Sequence, residues 1–256
     1  MTSPADANAP TEIPLHGGRS TPGVVRVGDT VRRPAGRHSA ATLALLRHLE
    51  SIGFHRVPRH LGRDAQGRDM LSWLPGEVPA ELGHHDDATI TAAATLMRAF
   101  HDATAPLAIA GGRGEVVCHN DWGPANTVFR EGRPWGLIDF DTAAPGPRAS
   151  DLGYAAFLWL DLGNRDYTAC EQARRLASFA AAYGHPACPL PLLARRVVER
   201  QEALSRRGRM QGRDDLAAWA ADAAAWTRAR LLPAVAALPI QGNPPFGPAE
   251  HRLSQM

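Results

Sequence analysis

The sequence predicts an α+β fold in which a small strand-rich N-terminal part precedes a mostly helical remainder. Three observations carry that expectation. Short apolar runs separated by Gly-containing turns, the first of them β-branched at Val24, Val25 and Val27, occupy the region from Val24 to Leu74, which is the mark of hairpins. A polar loop flanked by apolar strands fills residues 115–140. Beyond residue 150 the chain is Ala-rich, with helical stretches predicted at 169–183, 190–206 and 212–237.

Residues 1–13 are polar and rich in Ala and Pro, and are expected to form a disordered tail. The strand-rich unit is placed at 14–74 and the helical unit, with its hairpin at 115–140, at 75–256. Val24, Val25 and Val27 start a strand, Gly28-Asp29 turns it, and Thr30-Val31 begins the return, ended by Pro34 and Gly36. Ser39 is expected to cap a helix in which Leu45, Leu49 and Ile52 recur at helical spacing, with Gly53 as its stop. Asp64-Ala65-Gln66-Gly67 predicts a second turn leading into the strand Met70 to Leu74, broken by Pro75-Gly76. From Asp86 or Asp87 onward, Ile90, Ala94, Met97 and His101 fall on one helical face, and the two acids suit its positive N-terminal end. Val116-Val117, Thr127-Val128-Phe129 and Trp135 to Ile138 then predict three strands, with a turn at Glu131-Gly132.

Composition narrows the function classes. At 256 residues, 44% hydrophobic and 21% charged, the chain is long enough for two modest lobes with a real core. A formal net charge of +2 is too small to imply a nucleic-acid partner. All 28 basic residues are arginine, and lysine is absent. Cys118, Cys170 and Cys188 are odd in number and form no CxxC pair, which fits a reducing cytoplasm. The N-terminus lacks a basic start followed by an apolar run, and no apolar stretch approaches a membrane span. A soluble cytoplasmic protein without a membrane partner is expected, and oligomeric state leaves no signal.

The chemistry concentrates at 115–140. Asp121 and Asn126 stand at two ends of the loop His119-Asn120-Asp121-Trp122-Gly123-Pro124-Ala125-Asn126, and Asp139 ends the later apolar strand in Leu137-Ile138-Asp139-Phe140-Asp141. A hairpin brings the start of its first strand beside the end of its second, so Asn126 and Asp139 should be neighbours. Two oxygen ligands converging there suit magnesium, which takes few protein ligands and completes its octahedron with water and phosphates. Asp121 can then face a hydroxyl across a transferred phosphate, the positioning work that phosphoryl transfer asks of a protein. Taken singly, Asp121 and Asn126 also suit a plain turn. His84-His85-Asp86-Asp87 invites a metal reading too, but adjacent residues rarely converge on one ion, and a solvated helix start accounts for the run.

His119-x-Asp121-x-x-x-x-Asn126 followed by Ile138-Asp139-Phe140-Asp141 resembles the catalytic loop and metal motif of the aminoglycoside phosphotransferase and choline kinase superfamily. Pro145-Gly146-x-Arg148-x-x-Asp151-Leu152-Gly153 resembles the stretch that follows in that family. The match is tight over 115–160. The resemblance implies a protein-kinase-like two-lobed fold with a reduced N-lobe sheet and a mostly helical C-lobe. It also implies an ATP- and Mg2+-dependent kinase acting on a hydroxyl of a small molecule. By that resemblance Asp121 orients or deprotonates the acceptor, Asn126 and Asp139 hold magnesium, and Asp151 braces the loop from a helix start. His119 packs beneath the loop, and Asp141 lies near the metal or one step behind it.

The same family uses an N-lobe lysine on the phosphates, paired with a helix glutamate. Here only Arg32 or Arg33 fits the lysine position; strand alternation favours Arg33, with Val31 on the cleft side against adenine. Arginine grips phosphate bidentately, but the exchange is not conservative. The predicted helix carries Glu50 only at its far end, so the usual pair is missing or rebuilt. The linker Ser72-Trp73-Leu74 is expected to offer its backbone to adenine, and residues 16–23 read either as a shortened phosphate loop or as a glycine turn. Residues 165–256 hold 13 arginines against 8 acids, which argues against a strongly cationic acceptor. A catalytically weak or inactive, pseudokinase-like binding or immunity protein of the same fold is the alternative that the missing lysine supports.

Overall fold

The computed structural model describes residues 11–15, 22–79, 82–112 and 114–239. Residues 1–10 of the expected tail and 16–21 of the expected glycine loop lie outside the described residues.

A five-stranded antiparallel sheet in the order β1-β2-β3-β5-β4 forms the small lobe. Its strands are β1 (Ile13–Pro14), β2 (Val25–Val27), β3 (Thr30–Arg33), β4 (His60–Arg63) and β5 (Asp69–Ser72). The sheet thus begins at Ile13, inside the stretch expected to be a tail. Gly28, at φ +57°, closes the two-residue β2–β3 turn, a left-handed conformation open to glycine. Asp64 builds the β4–β5 turn by accepting the backbone N–H groups of Gln66 and Arg68, the local bonding that makes Asp a turn residue. Strand β5 stops at Ser72, short of the expected Leu74, because the Trp73 N–H donates to Asp29 O at 2.9 Å in the β2–β3 turn.

Helix α1 (Ser39–Ser51) packs against β4 and buries Thr42, Leu45, Leu46 and Leu49. Ser39 does not cap it. His38 holds that position in a helical conformation with no side-chain cap bond. Ser39 Oγ instead accepts the Gly36 N–H at 2.9 Å, so its hydroxyl closes the preceding turn. Gly76, at φ +142°, begins the passage to the second lobe; a Cβ there would lie 2.3 Å from Phe129 O. Beyond it Glu77 and Phe129 exchange backbone hydrogen bonds at 3.0 and 2.7 Å, which ties the linker to the large lobe.

Helix α2 (Asp87–Ala110) is the axis of the large lobe. Asp86 caps it by accepting the Thr89 N–H. Ile90, Ala94, Met97 and His101 are all fully buried, as one helical face requires. The two-stranded unit β6 (Val116–Cys118) with β9 (Ala144–Gly146) and the hairpin β7 (Thr127–Arg130) with β8 (Arg133–Leu137) pack on α2 and carry the loops of the site. Strand β9 has no β-branched residue, and its Pro145 pairs with Val117 at an edge, a position that tolerates proline. Helix α3 (Arg148–Trp159) is buried on nearly every side. It meets α5 (Leu190–Met210) closely at Gly153, where a Cβ would lie 2.8 Å from Arg196 Cβ. Helices α4 (Ala169–Tyr183), α6 (Asp214–Trp226) and α7 (Leu232–Ala236) complete the lobe, with a π-helical turn at Thr227–Leu231 between the last two. Among the described residues no helix is long and apolar enough to cross a membrane.

Candidate active site

The catalytic-type loop is held from below. Asp151, in the first turn of α3 and fully buried, accepts the His119 N–H at 2.6 Å, the Asn120 N–H at 2.8 Å and a bond to His101 Nε2 at 3.0 Å. Burial works to raise its pKa, but the His101 bond and charge, with the backbone donor, hold it below the ordinary carboxylate value. His101 Nδ1 continues to the Tyr183 hydroxyl at 2.8 Å, and Arg148 joins Tyr183 to Asp102. His119 is fully buried, meets Ile138 O at 2.9 Å through Nε2 and packs on Phe140. Thr142 Oγ1 donates to His119 O, and Asn120 Nδ2 donates to Thr142 O. The loop and the segment after β8 are thereby stitched together.

These constraints bring the predicted residues into one place. Asn126 Nδ2 donates to Asp121 O at 2.7 Å and to Asp121 Oδ2 at 3.2 Å. Ile138 N–H donates to Asn126 O at 3.1 Å, which seats Asp139 beside Asn126 at the hairpin's open end. Asp139 takes φ +64°, a left-handed conformation uncommon outside glycine and concentrated at functional sites. Burial raises the Asp139 pKa, the Asp141 and Asp121 charges add to that rise, and Arg33 opposes it.

Arg33 occupies the cleft. Its Nη1 lies 4.0 Å from Asp139 Oδ1, and its Nη2 donates to Asp141 Oδ2. Arg32 turns the other way, with Nε 3.7 Å from Asp64 Oδ2. Val31 shares the Arg33 side and packs against the buried core. Helix α1 has no acid in its first turn, and Glu50 lies 3.9 Å from Arg59. Among the described residues the cleft cation thus meets Asp141, two residues past Asp139, in place of a helix glutamate. At the linker, Ser72 N–H donates to Arg59 O and Trp73 N–H to Asp29 O, while the Arg26 guanidinium lies over the Trp73 ring. Two of the three linker N–H groups expected at adenine are thus engaged inside the lobe, and Leu74 lies beside Gly136.

Several neighbours escaped the sequence reading. Tyr154 donates its hydroxyl to Asp121 Oδ1 at 3.1 Å. Burial, reinforced by the Asp121 charge, keeps that phenol protonated far above its ordinary range. Arg200 covers the Tyr154 ring at 4.7 Å and donates to Asn120 O at 3.1 Å. His101 was legible only as a core-facing helix position. Cys118 is buried, and burial raises its thiol well above the ordinary range. His84 and His85 do not form a metal site: His84 stacks on Tyr167 and meets Arg175, and His85 packs on Phe129 and Trp159.

The donor set fits magnesium. Asn126 offers an amide oxygen, since its nitrogen is the atom turned to Asp121, and Asp139 offers a carboxylate crowded by two further acids. Among the described residues no group of three His, Cys, Asp or Glu side chains converges for a metal ion. Water and nucleotide oxygens would complete the octahedron, as magnesium prefers.

Comparison with known proteins places the chain by class. It has the two-lobed, protein-kinase-like fold of the aminoglycoside phosphotransferases and choline kinases. The gentamicin complex of APH(2")-IIa superposes with TM-score 0.55 at 14% identity, covering 85% of this chain and 92% of that one. Spectinomycin phosphotransferase APH(9)-Ia, solved with ADP and spectinomycin, gives 0.53 at 12% identity over 89% and 92%. Choline kinase from Cryptosporidium parvum Iowa II gives 0.54 at 12% over 80% and 84%. At such identities the likeness is one of fold. Residues 102–196 match the model of the phosphotransferase enzyme family, APH. A curated relative is the trifolitoxin immunity protein of Rhizobium leguminosarum bv. trifolii, 36% identical over 160 residues. That match spans 57% of this chain and 59% of that protein, less than two thirds of the relative's length.

Proposed function

We propose that this chain is a magnesium- and ATP-dependent phosphotransferase acting on a hydroxyl group of a small molecule. The observation that carries the reading is the convergence of Asp121, Asn126 and Asp139 with Arg33 at one cleft. Magnesium held by Asn126 and Asp139 would neutralise phosphate charge, its usual role in this chemistry. Arg33 grips phosphate oxygens from the small lobe, kept in place by Asp141. Asp121 takes the hydroxyl proton as the acceptor oxygen bonds to the γ-phosphorus. The bond from that phosphorus to the β–γ bridging oxygen breaks, and its electron pair stays with the diphosphate. Tyr154 and Asn126 fix the two carboxylate oxygens of Asp121.

The direct test is calorimetric titration of the full chain with ATP, with and without magnesium. Magnesium-dependent binding in the wild type, lost together with turnover in Asp139→Ala, is expected. Wild-type protein that binds no nucleotide with magnesium or manganese would be evidence against the proposal.

Arg33 and Arg32 separate by the direction in which they point. Arg33→Ala is expected to weaken ATP binding about tenfold or more, the scale of a charge-assisted hydrogen bond. Arg32→Ala should leave ATP affinity within about twofold, since its guanidinium lies by Asp64 on the far side of the strand. Equal losses in the two variants would reject the assignment.

A second reading has support of its own. The immunity-protein relative and the absence of lysine favour a binding or immunity protein that keeps the fold without turnover. Nucleotide binding without ADP release, against a broad panel of hydroxyl acceptors, would select it.

A further inference from the structure

Beside the Asp121 cleft lies a cavity of about 670 Å³ bounded by both lobes. Arg33, Arg37 and His38 line it from the small lobe, and Arg207 and Arg213 from the end of α5 and the start of α6. Among the described residues Asp141 is its only acidic lining residue, and it is engaged by Arg33. Arg37 turns its Nε to His38, and among the described residues neither it nor Arg207 nor Arg213 forms an ion pair.

Position links this cavity to the chemistry. Arg200 and Arg207 lie seven residues apart on α5, two helical turns, and so share a side of that helix. Arg200 touches the loop carbonyl of Asn120 and covers Tyr154. The charges of Arg200 and Arg207 both reach the Tyr154 hydroxyl, which holds Asp121. A row of guanidinium groups therefore runs from the proposed proton acceptor into the cavity. A last-turn arginine also suits the negative end of a helix, which accounts for Arg207. It extends to Arg213, whose backbone N–H donates to Gly208 O at 2.9 Å at the same helix end, but not to Arg37 across the cleft, which precedes the positive end of α1.

Resting on the phosphotransferase reading, we propose that the acceptor is an anion: a hydroxyl compound bearing a carboxylate or phosphate, held by Arg207 and Arg213 with its hydroxyl toward Asp121. Two guanidinium forks match such groups bidentately. A cationic acceptor would be repelled by the same row.

The test uses hexoses of similar size and different charge: glucosamine, glucose, glucuronate and glucose 6-phosphate. Each is titrated calorimetrically into the full chain, with and without magnesium and a non-hydrolysable ATP analogue. Glucuronate and glucose 6-phosphate are expected to bind about tenfold or more tightly than glucose, the scale of one charge-assisted contact. The Arg207→Gln/Arg213→Gln variant should lose that preference. Both residues are exposed, so an unchanged thermal melt is expected to show that the variant folds. No anion preference in the wild type, or a preference that survives the double substitution, overturns the proposal. Failure of nucleotide binding would fall on the phosphotransferase reading alone, because anion binding is also measured without nucleotide.

Discussion

Asp121→Asn is expected to lower phosphoryl transfer about 10²–10⁴-fold, the usual contribution of a positioned acid–base group. ATP affinity should change little, because in the proposed mechanism Asp121 meets the acceptor hydroxyl and acts in the transition state. The substitution isolates the chemistry well. Asn keeps the shape, and its Oδ1 can still accept from Tyr154 or from Asn126, the two donors that hold Asp121 now. What disappears is the capacity to take a proton. ADP release against a panel of hydroxyl acceptors, or slow hydrolysis by water when no acceptor is supplied, measures the effect. Turnover that survives undiminished removes Asp121 from the mechanism.

Asp151→Asn should produce the largest loss of stability, and lose activity with it. The carboxylate accepts two backbone N–H groups and a histidine bond in a fully buried setting. An amide has one accepting oxygen and turns a donor toward the others. Each buried donor left without an acceptor costs about 1–3 kcal/mol. A loop displaced by an ångström loses about 10²-fold in rate, so turnover should fall although Asp151 touches no reactant. The pH dependence has a definite sign. The folded-state pKa lies below the ordinary carboxylate value, so the stabilisation is present above that ordinary value. It is lost as pH falls through the folded-state pKa. The difference in unfolding free energy between wild type and Asp151→Asn should therefore be large at neutral pH and shrink in strong acid. Urea unfolding at pH 7 and at pH 3 measures it. A variant as stable as the wild type at neutral pH would show that the loop is braced elsewhere.

Much of this architecture is local in origin, which is why sequence reached it. The turns at Gly28-Asp29 and Glu131-Gly132 need left-handed backbone, and glycine with an adjacent polar residue provides it. The buried face of α2 follows from helical period. Asp139 beside Asn126 follows from hairpin pairing, in which Thr127 faces Leu137. Ser39 departs from the cap expected of it because a serine before a helical run has two uses, and the hydroxyl here closes the preceding turn. Strand β9 was missed because Ala144-Pro145-Gly146 has no strand preference of its own and is extended by pairing with β6.

What sequence alone determined, then, is the order of elements, the buried helical faces and the identity of the polar loop residues, since each depends on neighbours a few positions away. Which cation enters the cleft, and which acid holds it, was decided by tertiary structure. Arg33 and Asp141 are 108 residues apart. The hydroxyl of Tyr154 reaches Asp121, and His101 reaches Asp151, only because α3 packs across the loop and against α2. The arginine row became a feature only when the end of α5 came to lie opposite the turn before α1. Contacts between distant segments are set by how buried faces fit together, and a side chain's spacing along the chain carries no record of that fit.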